Sequence, residues 1–371
     1  MANDICAKNI VGVSGFIRDL KVAYATKKCR LYESKPGQGK TTIAKQFFKQ
    51  LLAGTGNTVH YMNVGIKPEE MIGGIIMPSQ PGRCSLQIPE FWDKVKPGDV
   101  VIFDELDKKR HDQQNVYLEL SQTGTLDGNY IGEGQVLYIF LANRSTDRGG
   151  SYGVSPLIGN RVGVREFRPA DSEVLDYMAE KGTHYLVQTY LRTHPGSINP
   201  EYLTTRLRNS TSRSWEECSD DLYALGENPN FQDVIVTVAS RHPDSVAQDF
   251  EMYAEMGHKL IPVEEVLANP KKARVPDKND RALGYLQLIM CCSKVQAFEP
   301  GRDRGKAKAS IWEYSKRFSA EFRSAIMPYM LASPLPSELI GSMEGEGNKT
   351  TDLKELIEWK QTRERILKEG K

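Results

Sequence analysis

A glycine-containing loop near the N-terminus restricts the fold of this chain more than any other stretch of its sequence. Residues 34–41 are Ser-Lys-Pro-Gly-Gln-Gly-Lys-Thr, between a short apolar run at 29–33 and a helical pattern at 42–52. Glycines in such a loop let backbone N–H groups approach phosphate oxygens, and the N-terminus of the following helix favours negative charge. This strand, loop and helix pattern predicts a Walker A loop that binds a nucleotide. The alternative, a glycine-rich turn before an ordinary helix, is disfavoured by the flanking pattern.

Individual residues of the loop have distinct predicted roles. Lys40 supplies a positive charge to the β- and γ-phosphates, and Thr41 places its hydroxyl on Mg²⁺. Ser34 stands where the usual first glycine would be, but the amide-donating half of the loop is intact. The predicted cofactors are ATP and Mg²⁺, and the predicted nucleotide contacts are Pro36, Gly37, Gln38, Gly39, Lys40, Thr41 and Thr42.

Length and composition indicate a soluble globular protein of about two domains plus a tail. The 371 residues include 49 Lys and Arg against 48 Asp and Glu, so the net charge of +1 gives no global field for nucleic acid or acidic lipid. The six cysteines lack metal-ligand spacing, which predicts reduced thiols in a cytoplasm. We find no signal peptide and no run of about eighteen apolar residues, so neither secretion nor a membrane span is predicted.

Apolar strand candidates alternate with helical stretches over the first half of the chain. They lie at residues 29–33, 59–64, 100–103, 136–141 and 162–167. This alternation predicts a parallel sheet covered by helices, with ligand sites at the carboxyl ends of the strands. From Asp171 onward the pattern is helical without strands. The predicted fold class is therefore α/β, with domains at 1–170 and 171–333 and a linker plus C-terminal helix at 334–371.

An acidic pair follows the third of these strands. The apolar run 100–103 ends in Asp104 and Glu105, which matches a Walker B element. Asp104 is predicted to hold Mg²⁺ or its water, and Glu105 to polarise the water that attacks the γ-phosphate. The alternative is that the two carboxylates cap and charge a following helix. Asn143 follows the next strand, where it either orients the same water or serves as a turn residue.

Three further segments have local predictions. Residues 111–122 are predicted to form an amphipathic helix, and the Asp127-Gly128 pair that follows is a hairpin turn signal. The basic run at 302–308 is predicted to be a solvated loop, because no aromatic residue is interleaved within it as in a nucleic-acid site.

Five segments, taken in order along the chain, carry a resemblance to a known family. They are Lys-Pro-Gly-Gln-Gly-Lys-Thr-Thr at 35–42, Phe-Asp-Glu-Leu-Asp at 103–107, Leu-Ala-Asn at 141–143, Ser-Pro-Leu-Ile-Gly-Asn-Arg-Val at 155–162 and Thr-Ser-Arg-Ser-Trp-Glu at 211–216. In these segments the chain resembles the MoxR family of AAA+ ATPases, in the compact form often seen in phage and prophage. The resemblance covers roughly residues 29–333. It implies an AAA+ sheet sandwiched by helices and an all-helical lid domain.

The resemblance also implies roles for single residues. Asn143 corresponds to sensor 1, Arg161 to the arginine finger and Arg213 to sensor 2 on the lid. The family usually places an aromatic residue after the finger, where this chain has Val162. The competing finger candidates are Arg144, Arg148 and Arg165.

The same resemblance implies partners. It predicts a homo-oligomeric ring, expected to be a hexamer, and a protein client or adaptor such as a von Willebrand A-domain protein. For a phage-encoded chain the expected location is the host cytoplasm. Nucleic acid is a less favoured partner.

The motifs support ATP hydrolysis directly, whereas remodelling comes from the resemblance alone. The leading hypothesis is a Mg²⁺-ATP-dependent ring ATPase that hydrolyses ATP at subunit interfaces to remodel or assemble a protein partner, as a chaperone does. The alternative is a nucleic-acid-associated motor or a phage assembly or packaging ATPase, which the near-neutral charge disfavours. A third hypothesis, a nucleotide-gated scaffold that hardly turns over, is disfavoured by Glu105 and Asn143.

A glycine-flanked apolar loop at 73–78 has two interpretations. In a ring of the AAA+ kind this segment faces the central pore, where Ile75, Ile76 and Met77 would grip a polypeptide. The alternative is that these side chains pack beneath the sheet within one subunit. The loop contains no lysine or arginine that would track phosphates.

Overall fold

The computed structural model describes residues 9–147, 151–198, 200, 207–226, 230–255, 259–277, 280–296, 302–319, 322–323, 326 and 330. These residues form two compact units, the first ending at Ala170 and the second beginning at Asp171. The linker and C-terminal helix predicted at 334–371 lie outside the described residues. No helix in the described part of the chain is both long and apolar enough to cross a membrane.

A six-stranded parallel sheet forms the centre of the first unit. Strands of this unit are β1 Ile10–Val11, β2 Arg30–Ser34, β3 Val59–Asn63, β4 Ile75–Gln80, β5 Arg83–Gln87, β6 Val100–Asp104, β7 Thr125–Leu126, β8 Asn129–Tyr130, β9 Leu137–Asn143 and β10 Gly163–Phe167. The sheet has the order β1-β10-β2-β9-β6-β3, and every neighbouring pair is parallel. The pairs β4–β5 and β7–β8 are separate antiparallel hairpins.

Helices cover both faces of this sheet. They are α1 Val13–Thr26, α2 Lys40–Leu51, α3 Glu70–Gly73, α4 Asn115–Thr123 and α5 Pro156–Gly159. Along β6, Val100 and Ile102 belong to a core cluster with α1 and α2, whereas Val101 and Phe103 belong to a second cluster with α4. Successive side chains of a strand point to opposite faces, so both faces of β6 are buried. The structure confirms the predicted α/β class with a sheet between helices.

The second unit is helical throughout its described part. Its helices are α6 Asp171–Lys181, α7 Tyr185–Thr193, α8 Ser212–Ala224, α9 Phe231–Arg241, α10 Asp244–Glu255, α11 Val263–Ala268, α12 Arg281–Gln296 and α13 Arg302–Ser315. Trp215 of α8 is fully buried and stacks on His242, with ring centroids 3.7 Å apart. Burial lowers the pKa of His242 to about 3, so this histidine is a neutral part of the core at neutral pH.

The prediction of a solvated loop at 302–308 is wrong, because these residues form the beginning of α13. Arg304 and Lys308 are only 7% and 4% exposed. Together with Ile311 and Ser315, which are fully buried, they repeat at helical spacing along one side of α13. The loop was predicted from the charges of residues 302–308 alone, whereas the helical spacing of buried residues continues to Ser315.

Candidate active site

The Walker A segment joins the carboxyl end of β2 to the N-terminus of α2. Gly37 and Gly39 have φ values of 75° and 83°, in the left-handed region that glycine adopts without a steric penalty. Gly39 is the N-cap of α2, and no side chain caps that helix. The first backbone N–H groups of α2 are therefore oriented as in helix N-termini that bind phosphate.

The presence of Ser34, where the first glycine of such a loop is usual, has a local explanation. Ser34 is the last residue of β2, so its backbone is extended and does not need the freedom of glycine. Its side chain is fully buried, and its hydroxyl donates a hydrogen bond to the carbonyl of Lys35 at 2.8 Å. The turn into the loop is therefore closed by serine without backbone strain.

The order of the strands brings the predicted motifs together. Strand β9 lies between β2 and β6, and all three run parallel. Ser34 pairs with Asn143 in this register, and Asp104 ends the next strand. Since the carboxyl ends of parallel strands meet at one edge of a sheet, the loop, the acidic pair and Asn143 converge there.

Two hydrogen bonds connect the Walker A residues to the neighbouring strands. Lys40 Nζ donates to Asn143 Oδ1 at 3.1 Å. Thr41 Oγ1 donates to Asp104 Oδ2 at 2.7 Å. Lys40 is only 8% exposed, so its ammonium group lies within the site and not in bulk solvent.

The donor set at Thr41 and Asp104 fits Mg²⁺. A hydroxyl and a carboxylate are hard oxygen ligands, and Mg²⁺ is usually held by one or two carboxylates together with substrate phosphates. Among the described residues, no group of three or more His, Cys, Asp or Glu side chains is placed to hold a metal ion. Tyr61 OH also donates to Asp104 Oδ2, at 3.2 Å. Sequence analysis missed Tyr61, because only the β3–β6 pairing brings it to this carboxylate.

Glu105 has an uncommon backbone conformation, with φ 60° and ψ 37°. It stands at the N-cap of a short 3₁₀ helix, Leu106–Lys108, but its side chain makes no capping hydrogen bond. The capping alternative is therefore not supported for Glu105. A Cβ placed on Gly65 would lie 2.6 Å from Glu105 Oε2 and 3.0 Å from Glu105 Cβ, so a side chain at position 65 would displace this carboxylate.

Asn143 is held from one side by Asp107. Asp107 Oδ1 accepts the backbone N–H of Asn143 at 3.0 Å, and its Oδ2 faces Asn143 Nδ2 at 3.4 Å. Asn63, the last residue of β3, pairs with Asp104 across the sheet, and its Oδ1 is buried with no hydrogen-bond donor among the described residues. Neither Asp107 nor Asn63 was predicted as a site residue. The available sequence signals were the position of Asn63 at the end of β3 and the place of Asp107 in the segment 103–107.

The segment before α5 is tied to the same edge of the sheet. The carbonyl of Asp107 accepts the N–H groups of Tyr152 and Gly153 at 2.8 and 3.1 Å. Gln114 is fully buried, donates to the carbonyl of Gly153 at 2.8 Å and accepts the N–H of Ser155 at 2.7 Å. This network fixes the start of α5, after which Arg161 follows.

The structure separates the candidate arginine fingers. The guanidinium group of Arg144 is already paired within its own unit. It donates hydrogen bonds to the carboxylates of Asp147 at 2.8 Å and Glu166 at 3.4 Å. Arg165 lies 3.8 Å from Asp19, and Arg148 lies outside the described residues. Arg161 is exposed, donates to the carbonyl of Leu157 at 2.9 Å, and forms no ion pair with a described residue. Val162, which replaces the family's aromatic residue, is 7% exposed and packs in the core.

Arg213 belongs to the second unit. It lies exposed in the first turn of α8, whose N-terminus is closed by a capping box of Thr211 and Ser214. The helical pattern predicted from Asp171 onward is thus confirmed for this segment. The role of Arg213 as sensor 2 stays a prediction.

The apolar segment 73–78 contributes to β4, where a loop was predicted. Ile75, Ile76 and Met77 are 52%, 71% and 42% exposed, so the prediction that they pack beneath the sheet is wrong. Gly74 at the base of this hairpin has φ 89°, and a Cβ there would lie 2.4 Å from the carbonyl oxygen of Gln87. A side chain at Gly74 would therefore push the two strands of the hairpin apart.

No protein-family model and no curated protein matches this sequence. Among solved structures, the chain is similar to a RuvB variant from Thermotoga maritima, with a TM-score of 0.36, 13% identity and coverage of 86% of this chain and 89% of that one. It is also similar to NtrX from Brucella abortus in complex with ADP, with a TM-score of 0.38, 16% identity and coverage of 90% and 68%. These scores are too low to carry an argument about function, which therefore depends on the geometry of the site.

Proposed function

We propose that this chain, with nucleotide-binding motifs gathered at one edge of an AAA+-like sheet, is an ATPase that hydrolyses ATP to ADP and phosphate. The observation that carries the proposal is the convergence of three strands on one site. Lys40 contacts Asn143 at 3.1 Å, and Thr41 contacts Asp104 at 2.7 Å. A phosphate-binding loop alone would serve binding, whereas a carboxylate pair and an amide beside it serve attack by water.

Each residue has a definite role in this proposal. The N-terminus of α2 and Lys40 bind the phosphates, and Thr41 and Asp104 hold Mg²⁺. ATP would be the substrate, and Mg²⁺ held by Thr41 and Asp104 would neutralise negative charge on the transferring γ-phosphoryl group. Glu105 orients and polarises the attacking water, and Asn143 fixes the position of that water.

Subunit association belongs to the same proposal. Arg161 is exposed, forms no ion pair with a described residue, and stands at the end of a segment fixed by Asp107 and Gln114. Such an arginine is suited to complete the site of a neighbouring copy, where it would meet the charge of the transferring phosphoryl group. We therefore propose a ring of the MoxR type, in which ATP is hydrolysed between subunits.

The β4–β5 hairpin is the observation that favours a protein client as the partner. Ile75, Ile76 and Met77 form an exposed apolar strand, and such surfaces mark interaction sites. A client or adaptor protein is the proposed partner, and the von Willebrand A-domain class follows from the family resemblance. The alternative, a nucleic-acid motor, has one observation in its favour, since Arg83 is exposed on β5 of the same hairpin. A single cation provides few phosphate contacts, so this alternative is less favoured.

Two substitutions test the hydrolytic function. Lys40 contacts phosphate in the ground state, so Lys40→Ala should weaken ATP binding measured with a fluorescent nucleotide. Glu105 acts on water in the transition state, so Glu105→Gln should bind ATP normally and release phosphate at least about 100-fold more slowly. If the Glu105→Gln protein turns over at the normal rate, the proposed role of the acidic pair is wrong.

A further inference from the structure

Asp107 is a fully buried carboxylate beside the proposed active site. It lies two positions after Glu105, in the 3₁₀ helix Leu106–Lys108. Its Oδ1 accepts the backbone N–H of Asn143 at 3.0 Å, and its Oδ2 faces the side-chain Nδ2 of the same asparagine at 3.4 Å. Both carboxylate oxygens are thus directed at one residue.

The carboxylate has little freedom to turn elsewhere. Its own carbonyl accepts hydrogen bonds from the N–H groups of Tyr152 and Gly153, which fix the main chain of Asp107 from another direction. A buried carboxylate is costly unless donors surround it, and asparagine would fill the same volume without a charge. The charge at Asp107 therefore has a function that packing alone does not require.

The chemistry of the two side chains gives that function. An ionised carboxylate can only accept hydrogen bonds, whereas an amide has one accepting end and one donating end. Asp107 therefore selects the NH₂ group of Asn143 and turns Oδ1 toward Lys40, whose Nζ donates to it at 3.1 Å. We propose that Asp107 is a positioning residue for ATP hydrolysis, because it fixes which end of the Asn143 amide faces the nucleotide.

This inference rests on the proposed ATPase function and makes a distinct prediction. In the Asp107→Asn variant, the NH₂ group of the new side chain can face the NH₂ group of Asn143. Two donors then oppose each other, which favours an Asn143 amide turned by 180°. The Asn143 NH₂ group would then face the ammonium group of Lys40. The water-orienting geometry would be lost, although Lys40, Thr41 and Asp104 would still bind the nucleotide.

The test measures steady-state phosphate release and fluorescent-nucleotide affinity for Asp107→Asn, Asn143→Ala and the double variant. We expect Asp107→Asn to lower kcat by about 10- to 100-fold with less than about a threefold change in KM. The double variant should be no slower than Asn143→Ala alone, because both changes remove the same positioned group. A normal kcat for Asp107→Asn, or losses that multiply in the double variant, would overturn the proposal.

A second variant covers the case in which Asp107→Asn does not fold. Combining Asp107→Asn with Asn143→Asp restores a donor facing an acceptor, so this protein should fold and bind nucleotide. Its kcat should remain as low as that of Asn143→Ala, since residue 143 then has no amide to orient water. A wild-type kcat would overturn the proposal, and so would failure of this exchanged pair to fold. If instead Glu105→Gln hydrolyses ATP at the wild-type rate, the proposed function itself fails.

Discussion

Glu105 occupies a left-handed backbone conformation, which costs a residue with a side chain of order 1–3 kcal/mol. Such strain persists only where the surroundings hold it, and here the 3₁₀ helix Leu106–Lys108 follows directly. Gly65 lies against the side chain of Glu105, and a Cβ there would require the carboxylate to move. The direction of the Glu105 carboxylate is therefore set both by its own backbone and by a glycine 40 positions earlier in the sequence.

Gly65→Ala should slow hydrolysis without impairing nucleotide binding. The added Cβ would lie 2.6 Å from Glu105 Oε2 and 3.0 Å from its Cβ, so the carboxylate must move. We expect a loss of about tenfold or more in kcat with a nearly unchanged KM, measured by phosphate release. Gly196→Ala is the matched control, because a Cβ at Gly196 meets no atom within 4 Å. Equal turnover in the two variants would show that Gly65 does not position Glu105.

Sequence analysis predicted which residue types carry the chemistry but not what holds them. Lys40, Asp104 and Asn143 belong to short motifs with a stated mechanism, and the structure brings them to one edge of the sheet. Tyr61 and Asp107 reach the site through strand pairing and a 3₁₀ turn. A single sequence does not show such tertiary contacts. Tyr61 lies outside the motifs, and the motif at 103–107 that ends in Asp107 does not indicate which residue this carboxylate contacts.

The predicted positions of the sheet strands agree with the structure, and the wrongly predicted strands and helices have physical explanations. The five sheet strands predicted from apolar runs all exist. The signal is clearest for β6 and β9, which are buried along almost their whole length and are therefore nearly continuous apolar runs. Strand β4 was predicted as a loop, since its exposed faces produce no alternating pattern. Helix α4 begins at Asn115, where 111 was predicted, because turns occupy the positions before it. The basic start of α13 likewise lacks the apolar pattern of a helix.

The proposed client-binding role of the β4–β5 hairpin can be tested by substitution. Replacing Ile75 and Ile76 with Ser should leave assembly and basal ATPase activity unchanged, because both side chains are exposed. Stimulation of phosphate release by an unfolded polypeptide such as reduced casein should be lost. Met252→Ser provides the control, since Met252 is 65% exposed on α10.

Two results would contradict this account of the hairpin. Stimulation by casein that survives the double substitution would show that the hairpin does not bind the client. Strong stimulation of the unmodified protein by DNA, with binding that weakens steeply as salt rises, would favour the nucleic-acid function.

In the whole molecule, an almost balanced charge accompanies an exposed candidate finger, Arg161, that forms no ion pair with a described residue. The net charge of +1 supplies no field that would concentrate the protein on nucleic acid. Within the described residues, Arg144 and Arg165 are engaged with acidic side chains of their own unit, and Arg161 is not. A second copy of this chain is therefore the proposed source of the cation that completes each site.

Mixing two inactive variants shows whether a site draws its arginine from a neighbouring copy of the chain. Arg161→Ala removes the finger and should lower the hydrolysis rate by about 10³- to 10⁵-fold, while Lys40→Ala removes phosphate binding. In rings formed from equal amounts of both, about one interface in four combines an intact loop with an intact finger. The account predicts that phosphate release, absent from either variant alone, reappears in the mixture. Mixed rings that form but recover no turnover would contradict it.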